Sequence, residues 1–471
     1  MTGPGVTRRD FVRGAAAVAA AGLLPGCGKA TTGVASEVAS AFEPGRPLPW
    51  RNWAGNQSCR PAGRATPTSE EEMVSVLSRG SGALRPVGSG HSFSGLVPSD
   101  GTLVASDLLS GLISTDAERL QAEVWAGTRL HQLGPLLEAH DQALPNLPDM
   151  AYPTLGGALA TSTHGTGPRF GSLSSFVDRL VLATPSGELL ECSPERNTEV
   201  FHAARCSLGA LGVLTRVRLQ NQRAFRLVET AQFEALDGLL EDVERRRDAH
   251  RHFELYAFPH ASLAQTVVTD EDDGSAEPAG EEDPGAVYRL RDVYRPVGKL
   301  RGPGRFLYDL ALRVASGSAE TRRVGPSFAV LTHDRIARFR EMEYTVPAEA
   351  GPACLREILD TIRARDIPVV FPLEYRYVKR DDIWLSMFEG RDGCSISIHQ
   401  YADEDHRPYF REIEPIFWKY EGRPHWGKLH SLDAERLRVC YPRWRDFQEV
   451  RRALDPTGRL LNAHLHTVLG A

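Results

Sequence analysis

Three stretches of small residues punctuate the first half of this chain, and a pair of opposite charges stands two residues apart in its second half. The first stretch is Arg85-Pro86-Val87-Gly88-Ser89-Gly90-His91-Ser92-Phe93-Ser94. Glycines on both sides of Ser89 let successive backbone N–H groups turn into one concavity, an arrangement suited to a pyrophosphate. The second stretch, Pro153 to Gly167, contains Gly156, Gly157, Thr161, Thr163, His164 and Gly165 and carries little side-chain bulk, so a flat ligand could lie against its backbone. The third, Ser207 to Leu214, with Gly209, Gly212 and Val213, has the same character. Any one of these is a turn; three together point to one large, phosphate-bearing cofactor. The chain has neither Gly-Lys-Ser/Thr nor a spaced GxGxxG, so the Walker and Rossmann modes are excluded.

The charged pair is Glu374 and Arg376, within Phe371-Pro372-Leu373-Glu374-Tyr375-Arg376-Tyr377. Alternation along a strand puts both side chains on one side. Taken alone, that spacing describes either a solvated ion pair or two charges over a site. Pro424-His425-Trp426-Gly427-Lys428 adds a histidine and a lysine close together, an aromatic surface turn or part of the same site. His399, His464 and His466 have no usable spacing and read as structural.

Local elements must position these residues. Pro67 to Glu72 offers an N-cap with acids in the first turn, followed by the helical periodicity of Met73, Val76 and Leu77. Leu84 to Val87 reads as a strand running into the first glycine loop. Thr102 to Leu108, Glu123 to Ala126 and Val213 to Leu219 read as strands, Leu130 to His140 as a helix, and Val177 to Thr184 with Glu188 to Cys192 as a hairpin. Beyond residue 225 the texture changes. Strands at His252 to Phe258 and Ser395 to Tyr401 mix with a charged helix at Phe233 to Arg247, and the acidic segment 270–284 reads as a solvated loop. A helix from Tyr441 to Leu454 precedes a turn at Asp455-Pro456-Thr457-Gly458.

Composition bounds the function. With 471 residues the chain is too long for one core and suits two domains. Its net charge is -6, and no basic block alternates with aromatics, which argues against nucleic acid as a partner. None of the seven cysteines forms a CxxC pair, and no metal site is expected. Thr7-Arg8-Arg9-Asp10-Phe11 before a short apolar run resembles a twin-arginine signal, which exports proteins already folded. Leu24-Pro25-Gly26-Cys27 is similar to a lipobox, although Pro25 departs from its pattern. The expectation is a signal at 1–27, a linker at 28–49, and a periplasmic or cell-envelope protein that meets the membrane only through an N-terminal lipid anchor, if Cys27 is acylated.

The three loops resemble the vanillyl-alcohol-oxidase, or PCMH, type of FAD-binding domain. Asn52-Trp53-Ala54-Gly55-Asn56-Gln57 together with His425-Trp426-Gly427-Lys428 narrows the resemblance to the branch of aldonolactone and alditol oxidases. Arg459-Leu460-Leu461-Asn462 is similar to that branch's closing sequence. The resemblance spans Trp50 to the C-terminus. It implies a two-domain α+β fold: a PCMH-type FAD-binding domain at 50–225, an antiparallel-sheet substrate (cap) domain at 226–423, and a segment at 424–471 that returns to the flavin.

The same resemblance implies that FAD contacts Val87, Gly88, Ser89, Gly90, Ser92, Gly156, Gly157, Thr161, Thr163, His164, Gly165, Gly209, Gly212, Val213 and His425. His91 would form a single covalent bond to the flavin 8α-methyl; no cysteine between Cys59 and Cys192 could supply a second. Glu374, Arg376 and Lys428 match catalytic positions. Hydride would pass from a sugar-derived alcohol (an aldono-1,4-lactone such as D-arabinono-1,4-lactone, or an alditol) to flavin N5. Arg376 and Lys428 would stand beside the developing alkoxide, with Glu374 fixing Arg376, and a neutral Lys428 is one candidate for the base. Reoxidation by O2 would give H2O2. Two alternatives stay open: a dehydrogenase that uses a quinone or cytochrome, and a non-catalytic exported sugar-binding lipoprotein.

Overall fold

The computed structural model describes residues 48–80, 82–280, 285–298, 302–316, 320–335 and 337–471. The expected export signal, Cys27 and nearly all of the linker lie outside the described residues. The fold is α+β. A small parallel sheet sets Thr102–Ala105 between Gly63–Ala65 and Leu84–Val87. The Glu70–Ser78 helix connects the outer two strands and begins where expected: the Ser69 side chain accepts from the Glu72 N–H, and Glu72 reaches back to Thr68 at 2.8 Å. Three acids in its first turn suit the positive end of the helix dipole.

A five-stranded antiparallel sheet follows, in the order Leu189–Cys192, Val177–Ala183, Val213–Gln220, Gln121–Trp125, Leu112–Asp116. The expected hairpin is present, with Leu189 opposite Ala183 and Cys192 opposite Leu180.

The rest of the chain builds an eight-stranded antiparallel sheet. Its central strands, Phe339–Pro347, Gly393–Tyr401 and Leu373–Val378, are almost wholly buried, yet their chemistry alternates. Tyr344, Ile396 and Tyr375 form one cross-strand row, and Glu343, Ser397 and Glu374 form the next. Because strand side chains alternate faces, one face of the sheet is apolar and the other polar. The apolar face lies under two helices, Gly351–Ala364 and Arg407–Lys419; Tyr344 stacks on Phe417 with ring centres 4.9 Å apart. The charged face is turned toward the glycine loops.

Four expectations are corrected. The Phe233–Arg247 segment is the end of the Arg226–Ala235 strand followed by two short helices, Leu236–Glu241 and Val243–Ala249. Its first residues, Phe233 to Ala235, are captured by sheet pairing with Leu263 to Gln265, continuing a strand whose earlier part, Arg226 to Ala231, also pairs with Thr321–Pro326. The acidic segment does not start as a loop, since Asp270 and Glu271 finish a strand and the Asp270 carboxylate accepts the Arg251 N–H at 2.7 Å. Residues 281–284 lie outside the described residues. Thr102 to Leu108 is extended only to Ala105. The helix expected from Tyr441 starts at Trp444, preceded by a separate helix, Ala434–Cys440. The turn at Asp455 to Gly458 forms as expected, with Gly458 at φ 70° and its N–H bonded to the Asp455 carbonyl at 3.2 Å.

Candidate active site

The three loops converge although 124 residues separate Arg85 from Gly209. Buried Arg85 binds the carbonyls of Leu96, Leu208, Gly209 at 3.0 Å and Leu460 at 2.8 Å, so one guanidinium ties the first loop to the third and to the tail. Burial without a counter-ion pushes it down to about 9. The first and second loops touch at glycines: a Cβ on Gly88 would stand 2.4 Å from Thr154 Oγ1 and 3.7 Å from Gly157 Cα. The 52–57 motif clamps the same loop. Asn52 Nδ2 donates to the Ser92 carbonyl at 2.9 Å, the Trp53 N–H donates to the Gly90 carbonyl at 2.8 Å, and Asn56 and Gln57 both donate to the Phe93 carbonyl. From the tail, the Gly427 carbonyl accepts the Phe93 N–H at 2.6 Å.

Between these loops and the polar sheet face lies a cavity of about 2260 Å³. The loop walls fit a dinucleotide. Ser89 Oγ is buried without a hydrogen-bond partner. No backbone N–H of Ser89, Gly90, His91 or Ser92 bonds to another described residue, which leaves a row of donors for phosphate oxygens. Gly88 and Gly157 keep the floor of this cradle free of side chains.

His91 stands at the rim between two aromatic rings, Trp53 at 5.5 Å and Tyr152 at 6.1 Å, both nearly parallel to it. Burial, then Lys428 and Arg129, push its imidazole down to about 4, so the ring is neutral and keeps a nucleophilic nitrogen at neutral pH.

Across the cavity the charges form one network. Arg376 Nη2 lies 3.2 Å from both Glu343 Oε1 and Glu374 Oε2. Glu343 Oε1 is also 2.7 Å from His164 Nε2. Burial opposes charge on Arg376, but Glu374, Glu343 and Glu254 outweigh it and raise its pKa. Burial likewise opposes ionisation of Glu343, yet Arg376 and His164 hold it well below the usual range. Arg376 Nε is buried with no partner and is left as a free donor. Glu254 faces Arg376 on the next strand, and burial and then the Glu374 charge raise its carboxyl to about 8. Tyr256 Oη lies 3.2 Å from both Glu254 Oε1 and Glu374 Oε1. Lys428 Nζ is 2.5 Å from Glu341 Oε2. Burial would raise Glu341, but Lys428 and then His399 hold it at about 2. That ion pair counts against Lys428 as a neutral amine.

Of the residues singled out from sequence, Val87, Gly88, Ser89, Gly90, His91, Ser92, Gly156, Gly157, Thr161, Thr163, His164, Gly209, Gly212, Val213, Glu374, Arg376, His425 and Lys428 line this cavity. Gly165 does not; a Cβ there would lie 2.3 Å from the Leu147 carbonyl, so its need for glycine comes from packing. His399, expected to be structural, lines the cavity with Nε2 3.6 Å from Glu341. His464 is half-buried and does not line it. Sequence reasoning missed Glu341, Glu343, Glu254 and Tyr256. Among the described residues, two groups have metal-ligand chemistry, His164–Glu343–His425 and Glu341–Glu374–His399, but Arg376 and Lys428 already neutralise their carboxylates.

Comparison with known proteins adds the lineage. Residues 217–468 match the family described as D-arabinono-1,4-lactone oxidase, and residues 61–193 match the FAD binding domain family. Over 434 residues the chain is 36% identical to an L-gulono-1,4-lactone dehydrogenase of Mycobacterium tuberculosis, covering 89% of this chain and 99% of that protein. It is 31% identical over 437 residues to an L-gulonolactone oxidase of Bos taurus, covering 89% and 98%. Among solved structures, a solvent-stable cholesterol oxidase shares the fold with a TM-score of 0.72 at 20% identity, over 90% of this chain and 97% of that one.

Proposed function

This chain belongs to the D-arabinono-1,4-lactone oxidase family, and from that premise we propose that it oxidises a CH–OH group of an aldono-1,4-lactone or alditol with dioxygen as acceptor. The observation that carries the reading is Arg376: a buried guanidinium fixed by two carboxylates, with one N–H unpaired, in the same cavity as the dinucleotide-type loops. FAD, when bound, supplies a two-electron acceptor for the hydrogen taken from the alcohol carbon. The chain's own residues orient the alcohol and manage its proton. Negative charge grows on the substrate oxygen as the O–H bond weakens, and Arg376 Nε–H and the Lys428 ammonium meet it. A preorganised donor of this kind is worth about 3–4 kcal/mol in the transition state. Glu374 accepts from a neighbouring hydroxyl while it braces Arg376. Glu254, protonated up to about pH 8, holds its proton beside Tyr256 and Glu374.

In this reading His91 carries the flavin covalently, supported by its neutral, aromatic-flanked ring. The residues at 50–225 would bind FAD, those at 226–423 would cap the substrate, and the tail at 424–471 would close the site. The N-terminal arginines support export by the twin-arginine route after cofactor loading, with Cys27 a lipid-anchor candidate.

A second reading has specific support: the Mycobacterium tuberculosis relative is named a dehydrogenase. Oxygen uptake on adding L-gulono-1,4-lactone, D-arabinono-1,4-lactone or an alditol, without other acceptors, tests the proposal. Uptake with stoichiometric H2O2 supports the oxidase. Turnover seen only with an added quinone or cytochrome would replace it with the dehydrogenase.

A further inference from the structure

The cavity does not end at the charged network. The cross-strand row through Arg376 continues to Glu254, then Val267, then Ala231, and the row through Glu374 continues to Tyr256, Gln265 and Phe233. At about 4.8 Å per strand, the sheet face changes over roughly 14 Å from charged to uncharged and mainly apolar, with Gln265 the polar member of the two rows. The Ala286–Gly298 and Gly302–Ser316 helices add Val293, Leu310 and Ala311 to the lining of this annex. Charged groups on its border are paired in part: Asp149 is 2.8 Å from Arg335 and 2.7 Å from His333, and Arg323 is 3.2 Å from Glu229, while Arg289 and Asp292 add polar groups to the lining.

The annex is open. Leu310 and Val314 line the cavity, yet they are 46% and 70% exposed, and Phe306, one turn before Leu310, is 67% exposed. An apolar channel from solvent to a reaction centre is poorly matched to a small polyol, whose hydroxyls would lose water there without gaining partners. It matches a hydrocarbon chain, whose burial is favourable in proportion to its area.

We infer that this annex binds the hydrocarbon chain of an amphiphilic alcohol whose hydroxyl-bearing head sits at Glu374 and Arg376. The inference rests on the alcohol-oxidation reading for the head alone. With C–C bonds of about 1.5 Å, the annex takes a chain of roughly ten carbons.

The test uses the flavin-loaded full chain and the 1,2-alkanediols from butane-1,2-diol to decane-1,2-diol, with binding measured by calorimetry and oxidation by kcat/KM. Affinity is expected to rise roughly two- to fourfold per methylene. Ala311→Phe, which fills the annex, and Leu310→Lys, a change at an exposed position that leaves folding intact, are both expected to flatten the slope. Affinity independent of chain length, or a slope that neither variant changes, would overturn the annex. Chain-length-dependent binding without oxidation supports the annex and contradicts the alcohol-oxidation reading. Oxidation of short polyols without a chain-length slope does the reverse.

Discussion

Glu343 reaches Arg376 across an intervening strand. Their side chains meet at 3.2 Å although Phe339–Pro347 and Leu373–Val378 are separated by Gly393–Tyr401 and share no backbone hydrogen bonds. The gap exists because the intervening strand presents Ser395 opposite Arg376 and Ser397 opposite Glu343. Small residues there let two long charged side chains lie over them. Arg376 is therefore braced from both sides, by Glu374 on its own strand and by Glu343 from two strands away.

Removing one brace loosens the guanidinium. Glu343→Gln is expected to lower kcat by about 10- to 100-fold and to cost roughly 3 kcal/mol of stability, because Arg376 and His164 lose their shared carboxylate. Steady-state kinetics and denaturant melts check both numbers. Unchanged kinetics would separate Glu343 from the site.

The two cations are expected to act chiefly on the transition state. Arg376→Ala and Lys428→Ala each lower kcat by about two to three orders of magnitude. Arg376→Lys fails to rescue, since a lysine cannot satisfy two carboxylates and keep an N–H in the same plane. Wild-type turnover in the alanine variants would remove these residues from the mechanism.

His91→Ala is expected to leave flavin bound by the loops but extractable. Acid precipitation followed by a denaturing gel checks this: fluorescence in the wild-type band, mapped to the His91 peptide, and none in the variant. Acid-stable flavin in the variant would contradict the assignment.

Glu254 gives a pH signature. Its carboxyl is raised from 4.5 to about 8, so the folded chain retains a proton that the unfolded chain releases. The stability it contributes is fully present below about pH 4.5 and is lost as pH rises through about 8. Glu254→Gln, which cannot titrate, is expected to fall less in Tm than wild type between those limits. Parallel Tm curves would refute the protonated state.

The loops were legible in the sequence because their chemistry is local: Gly88, Gly90, Gly156, Gly157 and Gly209 announce close backbone approach wherever the chain goes. The Glu374–Arg376 pair was legible for the same reason, two charges at strand spacing. Glu341 and Glu343 carry that signal too, alternating with Met342 and Tyr344, and so does His399 beside Ser397. What hid them was burial. A charged alternation in sequence reads as an exposed face, and only the register of three strands turns these residues inward together. The Phe233–Arg247 segment misled for a related reason, since its charges fit a helix until pairing with Leu263 to Gln265 captures its start.

The central claim, that this chain joins a flavin to an alcohol-oxidising charge network, is tested most directly by anaerobic reduction. Purified protein is mixed without oxygen or added acceptor with L-gulono-1,4-lactone, D-arabinono-1,4-lactone and an alditol, and the flavin absorbance is followed. Bleaching by at least one of them, at a rate that falls by about a hundredfold or more in Arg376→Ala, is the predicted result. Flavin that stays oxidised with all of them, or bleaching equally fast in Arg376→Ala, would contradict it.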